Sequence, residues 1–552
     1  LENALIKTGN NSKVKAKKIK RRYLFDNVLP LNQIKGSKEM DIVLVFEVHQ
    51  PFRVREDYFW ESRMFQRLSK DALFDYYFDK DLDGKIFERV SVKCYLPANR
   101  IILDLIDEYK NENRKVKVAY SFSGIFLEQC EMFKKDVLES FRQLAETGCV
   151  EFLDQTYYHS LCGLYPVRGE FVDQVELHRR AMEDLLNFKP KVFENTELLY
   201  NNAIARTVEQ LGYDGIYAEG VERILRGKSP NHVYSAKRCT GLKVLLRNYR
   251  LTDDIGFRFS SRRWSEWPLT ADKYASWLAG IDGQCINIFP DYETFGEHHW
   301  PETGILEFLA HLPREILKRQ NLNMATPSEV LGKCESAGEI DVPELGGTTS
   351  WADEKRDTSG WLGNTMQWAY YKAVRDMEPL VKESRDSDFS RLWRYFQASD
   401  HLHYMFTSKG GPGEVHGYFC PYRTPTDAFI TCQSALMDFE ERLRQYTIAG
   451  NSPFRFYTGL EEEAYTGVEV YSVSGLIDAL AKVDVKSIVF HNQRSDFERW
   501  AQLSLRDREL KRKLGEIKKL NLKGERLRKK LIKTAEGHLN ELHQINQRLG
   551  HY

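Results

Sequence analysis

Several features are missing from this 552-residue chain, and each absence narrows what it can be. It has no run of 18 apolar residues, so no membrane span is expected. It has no Cys-x-x-Cys pair, and its nine cysteines are scattered and odd in number. That disfavours a disulfide framework or a cysteine zinc site and suggests a reducing, cytoplasmic setting. Neither sign of charge is in excess, because Lys+Arg and Asp+Glu are each 80. A globally basic nucleic-acid binder is therefore not expected. Sequence repeats are also lacking. What remains is 42% hydrophobic and 12% aromatic, enough to bury a large core and too apolar for a disordered chain. At roughly 100–200 residues per domain the length suggests two to four domains.

Residues 1–39 stand apart. Lys13 to Arg22 is a basic run without an apolar core, so it is not a secretory signal. The chain starts at Leu1, and Met40 immediately precedes the first convincing strand. The segment reads as a vector-derived or upstream-translated extension, or else as a basic tail that touches an anionic partner.

From residue 40 to about 330, strand-like runs alternate with helical ones. Ile42–Phe46, Lys115–Phe122, Val150–Leu153, Val192–Phe193, Ile216–Ala218, Val244–Leu246 and Cys285–Phe289 are short apolar runs of the parallel, buried kind. Asn201-Asn202 can cap a helix that Gly212 stops. Strands separated by helices pair in parallel with right-handed crossovers, so about seven such units predict a barrel-like β/α domain. Residues 331–500 read as mainly helical, with helices near Trp361–Val374, Phe389–Tyr404 and Pro425–Tyr446. Ser487–Phe490 is a strand candidate within a less clear stretch. Residues 501–552 read as a basic amphipathic helix, folded back on the body or paired with a second copy as a homo-oligomer.

The chemistry is carried by strand ends. Asn287–Gly296 runs a buried strand into Asp291 and Glu293, and residues i and i+2 of a strand would aim both carboxyls one way. Glu197 follows another short strand, where a helix N-terminal acid is the plainer alternative. Two carboxylates at strand ends of one barrel are what glycosyl transfer needs: one ionised to attack, one protonated to release the leaving oxygen. Glu47 and His49 share the face that would look into the barrel, and His159 follows the third strand. Trp264 and Trp267 lie in a polar loop and, with Trp300, Trp351 and Trp361, are candidates to stack on sugar rings.

His49-Gln-Pro51, Tyr157-Tyr-His159, Asn195-Thr-Glu-Leu198 and Asp291-Tyr-Glu-Thr-Phe-Gly296 resemble, in order, the first four sequence regions of glycoside hydrolase family 57. Ser350-Trp-Ala-Asp353, Trp361-Leu-Gly-Asn364 and Ser399-Asp-His401 resemble the helical region of its α-amylase-type members. The resemblance spans about residues 40–435. It implies a (β/α)7 barrel followed by a helical domain that completes the cleft. It also implies a retaining enzyme acting on α-1,4-glucans such as starch, glycogen or maltodextrin. Glu197 would be the nucleophile and Asp291 the general acid/base. His49, His159 and Glu293 would line the subsite where the bond breaks, with Trp351, Asp353, Asp400 and His401 contributed by the helical region.

A 4-α-glucanotransferase or branching enzyme would use the same residues. Two readings from other classes are a metal-dependent hydrolase and a non-catalytic glucan-binding protein. The first needs converging histidines, but neither His298-His299 nor His401 with His403 is an H-x-H at an early strand end. The second is opposed by the presence of both Glu197 and Asp291. The expected partner is thus an α-glucan or maltooligosaccharide, with no nucleic acid, membrane, metal or organic cofactor implied.

Overall fold

The computed structural model describes residues 39–58, 68–407 and 420–549, so the basic N-terminal run lies outside the described residues. Ten strands form the main sheet. They are β1 (Met40–Val48), β2 (Val118–Phe122), β3 (Val150–Leu153), β4 (Val192–Phe193), β5 (Gly215–Glu219), β6 (Tyr234–Ala236), β7 (Lys243–Arg247), β8 (Cys285–Ile288), β9 (Leu322–Met324) and β10 (Glu339–Ile340). Seven of these close a parallel circuit, β1-β2-β3-β4-β5-β7-β8 and back to β1. Between β3 and β4 the join is a single parallel bridge, Asp154 with Phe193. The circuit is the (β/α)7 barrel.

Alternation along β1 explains why it sits at the centre. Val43 and Val45 enter the barrel interior with Ala119, Leu153, Val192, Tyr217, Leu245 and Phe289. Ile42, Leu44, Phe46 and Val48 face outward into the helical layer. A strand buried on both faces must be apolar, as this one is from Ile42 to Phe46. The same parity turns Glu47 inward at the carboxyl end of the strand.

The connections follow the expected chemistry. Asn201 caps the helix Asn202–Gln210, accepting from the backbone N–H groups of Ala203 and Ile204. Ser123 caps Gly124–Phe133 in the same way. Three strands escaped the sequence reading: β6, β9 and β10 have two or three residues each and no apolar run. β6 also breaks the parallel rule by pairing antiparallel with β7, because the short turn between them leaves no room for a crossover.

Beyond the barrel, helices Ser359–Leu362, Thr365–Asp376, Glu378–Ser384, Ser387–Tyr395, Ser399–His403 and Pro425–Thr447 pack against β4- and β5-side residues in one apolar cluster. An antiparallel hairpin follows, β11 (Ala449–Tyr457) with β12 (Tyr465–Ser472), so the stretch to residue 500 is not purely helical. Ser487–Phe490 is not a strand; it lies in the helix Val485–Arg494. Three apolar residues in a row are ambiguous between the two periods. Here the Asp484 side chain caps the helix, and Ile488 and His491 face inward at helical spacing.

The tail is two helices rather than one, Arg508–Lys519 and Gly524–Leu549, with Asn521 and Gly524 at positive φ between them. Leu510, Leu514, Ile517, Leu527 and Leu531 all pack onto the hairpin and the helices that follow it. The tail therefore folds back on its own chain.

Candidate active site

The carboxyl ends of the barrel strands meet a cavity that the helical region roofs. Its wall includes Glu47, His49, Arg53, His159, Glu197, Arg247, Asp291, Glu293, Trp351 and Asp400. This is the end of a β/α barrel where side chains from different strands converge.

Glu197 sits on a tight turn after β4, with φ +61°, followed by Leu198 at +50°. A non-glycine residue in this region is strained and needs surrounding contacts to hold it. Those contacts come from far away in sequence. The Trp351 indole N–H donates to Oε2 at 2.6 Å, and the Ser399 hydroxyl donates to Oε1 at 2.7 Å. His159 Nε2 lies 3.3 Å from Oε1. Trp351 N and Ser350 Oγ both donate to the Glu197 carbonyl. Burial alone would raise the carboxyl pKa, but the His159, Trp351 and Ser399 donors outweigh it and hold the group below its ordinary value.

Two stacked histidines stand beside it, His49 and His159, with ring centroids 3.9 Å apart. His159 Nδ1 faces Gln155 Oε1 at 2.9 Å, while the Gln155 amide donates to Glu47 and Ser121. With a carboxylate at its other nitrogen, His159 has acceptors on both sides. Burial works against its charge, yet Glu197 raises its pKa above the usual histidine value. His49 is the opposite case. Ser123 Oγ, which accepts from Phe126 N, can donate to His49 Nδ1 at 2.6 Å, and His49 Nε2 then donates to Asp400 at 2.8 Å. Burial and the neighbouring His159 push His49 down to about 4. The two stacked rings are thus shifted in opposite directions.

Asp291 and Glu293 do reach the same cavity, but not by strand alternation. β8 ends at Ile288; Asp291 bridges Glu47 and precedes a 3-10 turn, Tyr292–Thr294. The turn sends Tyr292 into the outer core and returns Glu293 to the cleft. Gly296 ends the motif at φ +131°, where a Cβ would stand 2.0 Å from the Lys93 carbonyl, so only glycine fits. Glu293 accepts from the Tyr95 hydroxyl, which a π-helical turn at Ser91–Tyr95 carries. Burial, then the charge of Asp291, pushes Glu293 up to about 8. Glu194, which accepts from Ser121 and from Leu198 N, is raised by burial to about 7.

Five expected site residues are not on the cavity wall, among them Trp300, which is exposed beneath the Lys93 ammonium. Trp264 is part-buried and meets Trp277 edge-on at 6.2 Å, and Trp267 is 43% exposed under the Arg262 guanidinium. Asp353 shapes its own loop at φ +59°, accepting from Arg356 N. His401 is buried against the Tyr395 carbonyl. In each case a local partner engages the residue. Ser399, Arg247, Arg53, Gln155 and Phe257 were missed, and Ser399 alone carried a signal, as the first residue of the Ser-Asp-His motif. Among the described residues, no three His, Cys, Asp or Glu side chains gather as a metal site. The histidine pairs are split, with His298 and His403 on the cavity wall and His299 and His401 hydrogen-bonded to backbone carbonyls.

A closed parallel barrel whose roofed cleft holds carboxyls shifted in opposite directions is built for acid–base chemistry. The glycosyl hydrolase family 57 model matches residues 43–343. A Methanocaldococcus jannaschii protein described as "Putative alpha-amylase" is 44% identical over 414 residues, covering 74% of this chain and 85% of that one. The chain belongs to glycosyl hydrolase family 57 and is a glycoside hydrolase. Its fold is shared with the 4-alpha-glucanotransferase of Thermococcus litoralis, at TM-score 0.52 and 15% identity over 76% of this chain and 61% of that one. The GH57-type branching enzyme of Pyrococcus horikoshii gives TM-score 0.52 and 14% identity over 74% and 90% of the two chains. Residues 451–550 match a second model, a family of unknown function.

Proposed function

We propose that this enzyme is a retaining hydrolase of α-1,4-glucans, of the α-amylase type, with Glu197 as nucleophile and Asp291 as general acid/base. The observation that carries the reading is the Glu197 carboxylate, buried yet kept ionised by three converging donors. In the first step a Glu197 oxygen attacks the anomeric carbon, the glycosidic C–O bond breaks, and Asp291 gives its proton to the leaving oxygen. In the second, ionised Asp291 takes a proton from water, whose oxygen attacks the anomeric carbon and frees Glu197. Glu293, raised to about 8 beside Asp291, lines the same wall, and His49, His159 and Asp400 offer hydrogen bonds to sugar hydroxyls. The α-glucan class is supported by the α-amylase description of the Methanocaldococcus jannaschii relative. A cytoplasmic, reducing setting suits nine cysteines that stand as free thiols. A homo-oligomer through the C-terminal helix is not part of this reading, since Leu510, Leu514, Leu527 and Leu531 already pack within the chain.

The test is product analysis after incubation with maltoheptaose, beside Glu197→Gln. Shorter products with new reducing ends, absent in the variant, are expected. Products both longer and shorter with few new reducing ends would make it a glucanotransferase. Wild-type protein that binds the oligosaccharide without turnover would overturn the catalytic reading.

A further inference from the structure

The loop that brings Trp351 to Glu197 belongs to neither a barrel strand nor a helix, so something must hold it. Its backbone is zipped at both ends: Thr349 bridges Tyr200, and Thr349 also bridges Asp357 across the loop. Trp351 N donates to the Glu197 carbonyl at 3.2 Å. These bonds fix where the loop lies, but they leave the direction of the indole free.

A four-residue ion cluster beneath the loop supplies that direction. Arg247, from the end of β7, donates to Glu219 Oε2 at 2.9 Å and to Asp253 Oδ1 at 3.1 Å. Arg356, from the loop, donates to the same Glu219 oxygen at 3.0 Å and also to Asp253 Oδ2. All four side chains are largely buried, at 5%, 12%, 0% and 8% exposure for Arg247, Arg356, Glu219 and Asp253. Two cations and two anions therefore balance in a dry site, where removing one partner strands a buried charge. The cluster meets Trp351 at two points, its backbone carbonyl and its ring. Arg356 Nη1 also donates to the Trp351 carbonyl at 3.1 Å, and the Arg247 guanidinium lies 5.6 Å from the ring centroid. Phe289, on the barrel's inner face, meets the same ring edge-on at 6.0 Å. Arg356 is held in a left-handed backbone conformation, φ +49°, which aims its side chain back under the loop.

We infer that Arg356 is a positioning residue for the nucleophile: its ion pairs with Glu219 and Asp253 and its bond to the Trp351 carbonyl orient the indole so that its N–H reaches Glu197. Its effect on the carboxyl is indirect, because Arg356 itself touches neither Glu197 nor the space for substrate. His159, His49 and Glu194 face Glu197, and none of them belongs to the cluster, while Arg247 of the cluster faces the opposite carboxyl, Asp291. The shortest route from Arg356 to Glu197 is through Trp351, which bonds to both.

Two experiments on the full chain test this, and only the second rests on the proposed function. In the first, the Trp351 indole N–H resonance is followed by 15N-labelling and identified by its loss in Trp351→Phe. At neutral pH it is expected well downfield, as befits a donor to a carboxylate. In Arg356→Met it should move toward the position of a solvated indole, and in Arg356→Lys only part of the way. An unmoved resonance in Arg356→Met overturns the inference, whether or not the protein hydrolyses any glucan. In the second, the acidic limb of the pH–rate profile should rise by about half a unit or more in Arg356→Met. Losing the indole donor favours the protonated carboxyl, so the limb moves to higher pH. Trp351→Phe should give the same shift, and the double variant no more than either single one. Additive shifts, or a melting-temperature loss with an unmoved limb, would also overturn it.

Discussion

The two walls of the cleft are equally dry and electrostatically opposite. On one, Glu197 receives the Trp351 indole, the Ser399 hydroxyl and His159, and its pKa falls despite burial. On the other, Glu293 has the Tyr95 hydroxyl but also the charge of Asp291, and it is driven up to about 8. Glu47 is raised as well, by burial and by Glu194, with one carboxyl oxygen left without a hydrogen bond. Depth is the same on both sides, so depth does not decide the ionisation state. What decides it is the number of donors against the number of neighbouring acids. A barrel can thus hold carboxyls shifted in opposite directions within one cavity by choosing which loops supply N–H and O–H groups.

The comparison breaks hardest at Glu197. Glu197→Gln keeps the three donors but removes the ionised oxygen, and kcat should fall by about 1000-fold or more, measured on maltoheptaose. The fold should survive, since the amide oxygen still accepts from Ser399, although the NH2 that replaces the second oxygen cannot accept from the Trp351 indole. A smaller effect is expected when one donor is withdrawn. Ser399→Ala should lower kcat/KM by about 10- to 100-fold, the range for a hydrogen bond to a charged group. It should also move the acidic limb upward, because the carboxylate loses support while the protonated form does not. A limb that stayed in place would mean that His159 and Trp351 set the ionisation without Ser399. The smallest effect concerns the opposite wall. Glu293, raised in the folded state, contributes stability that is present below about pH 4.3 and lost as pH rises through about 8. Glu293→Gln removes that loss. Its melting temperature relative to wild type should therefore be about 2 °C better at pH 8 than at pH 5, by calorimetry. An unchanged gap would show that Glu293 is already ionised at neutral pH.

How much of this was legible depended on the range of the cause. The seven barrel strands were visible because a strand covered on both faces must be apolar residue by residue. Inward placement of Glu47 and His49 followed from the two-residue period of β1. The short strands β6, β9 and β10 left no such trace, and Ser487–Phe490 was misread because three apolar residues suit either period. Asp291 and Glu293 were rightly sent to one cavity for the wrong geometric reason, since a 3-10 turn, not a pleat, brings Glu293 back. For Trp264 and Trp267 a polar loop suggested sugar contact; the fold sets them beside Trp277 and Arg262, away from the cavity wall.

By itself, then, the sequence determined the barrel, the carboxyls at its strand ends and the order of its motifs, because each is set by local period or by residues a few positions apart. It could not say which carboxyl is ionised. That was decided by Trp351 and Ser399, 154 and 202 residues from Glu197, and by an ion cluster linking β5, β7 and a distant loop. A carboxyl's charge depends on what the folded chain places within about 3 Å of it, and only the tertiary structure brings those groups together.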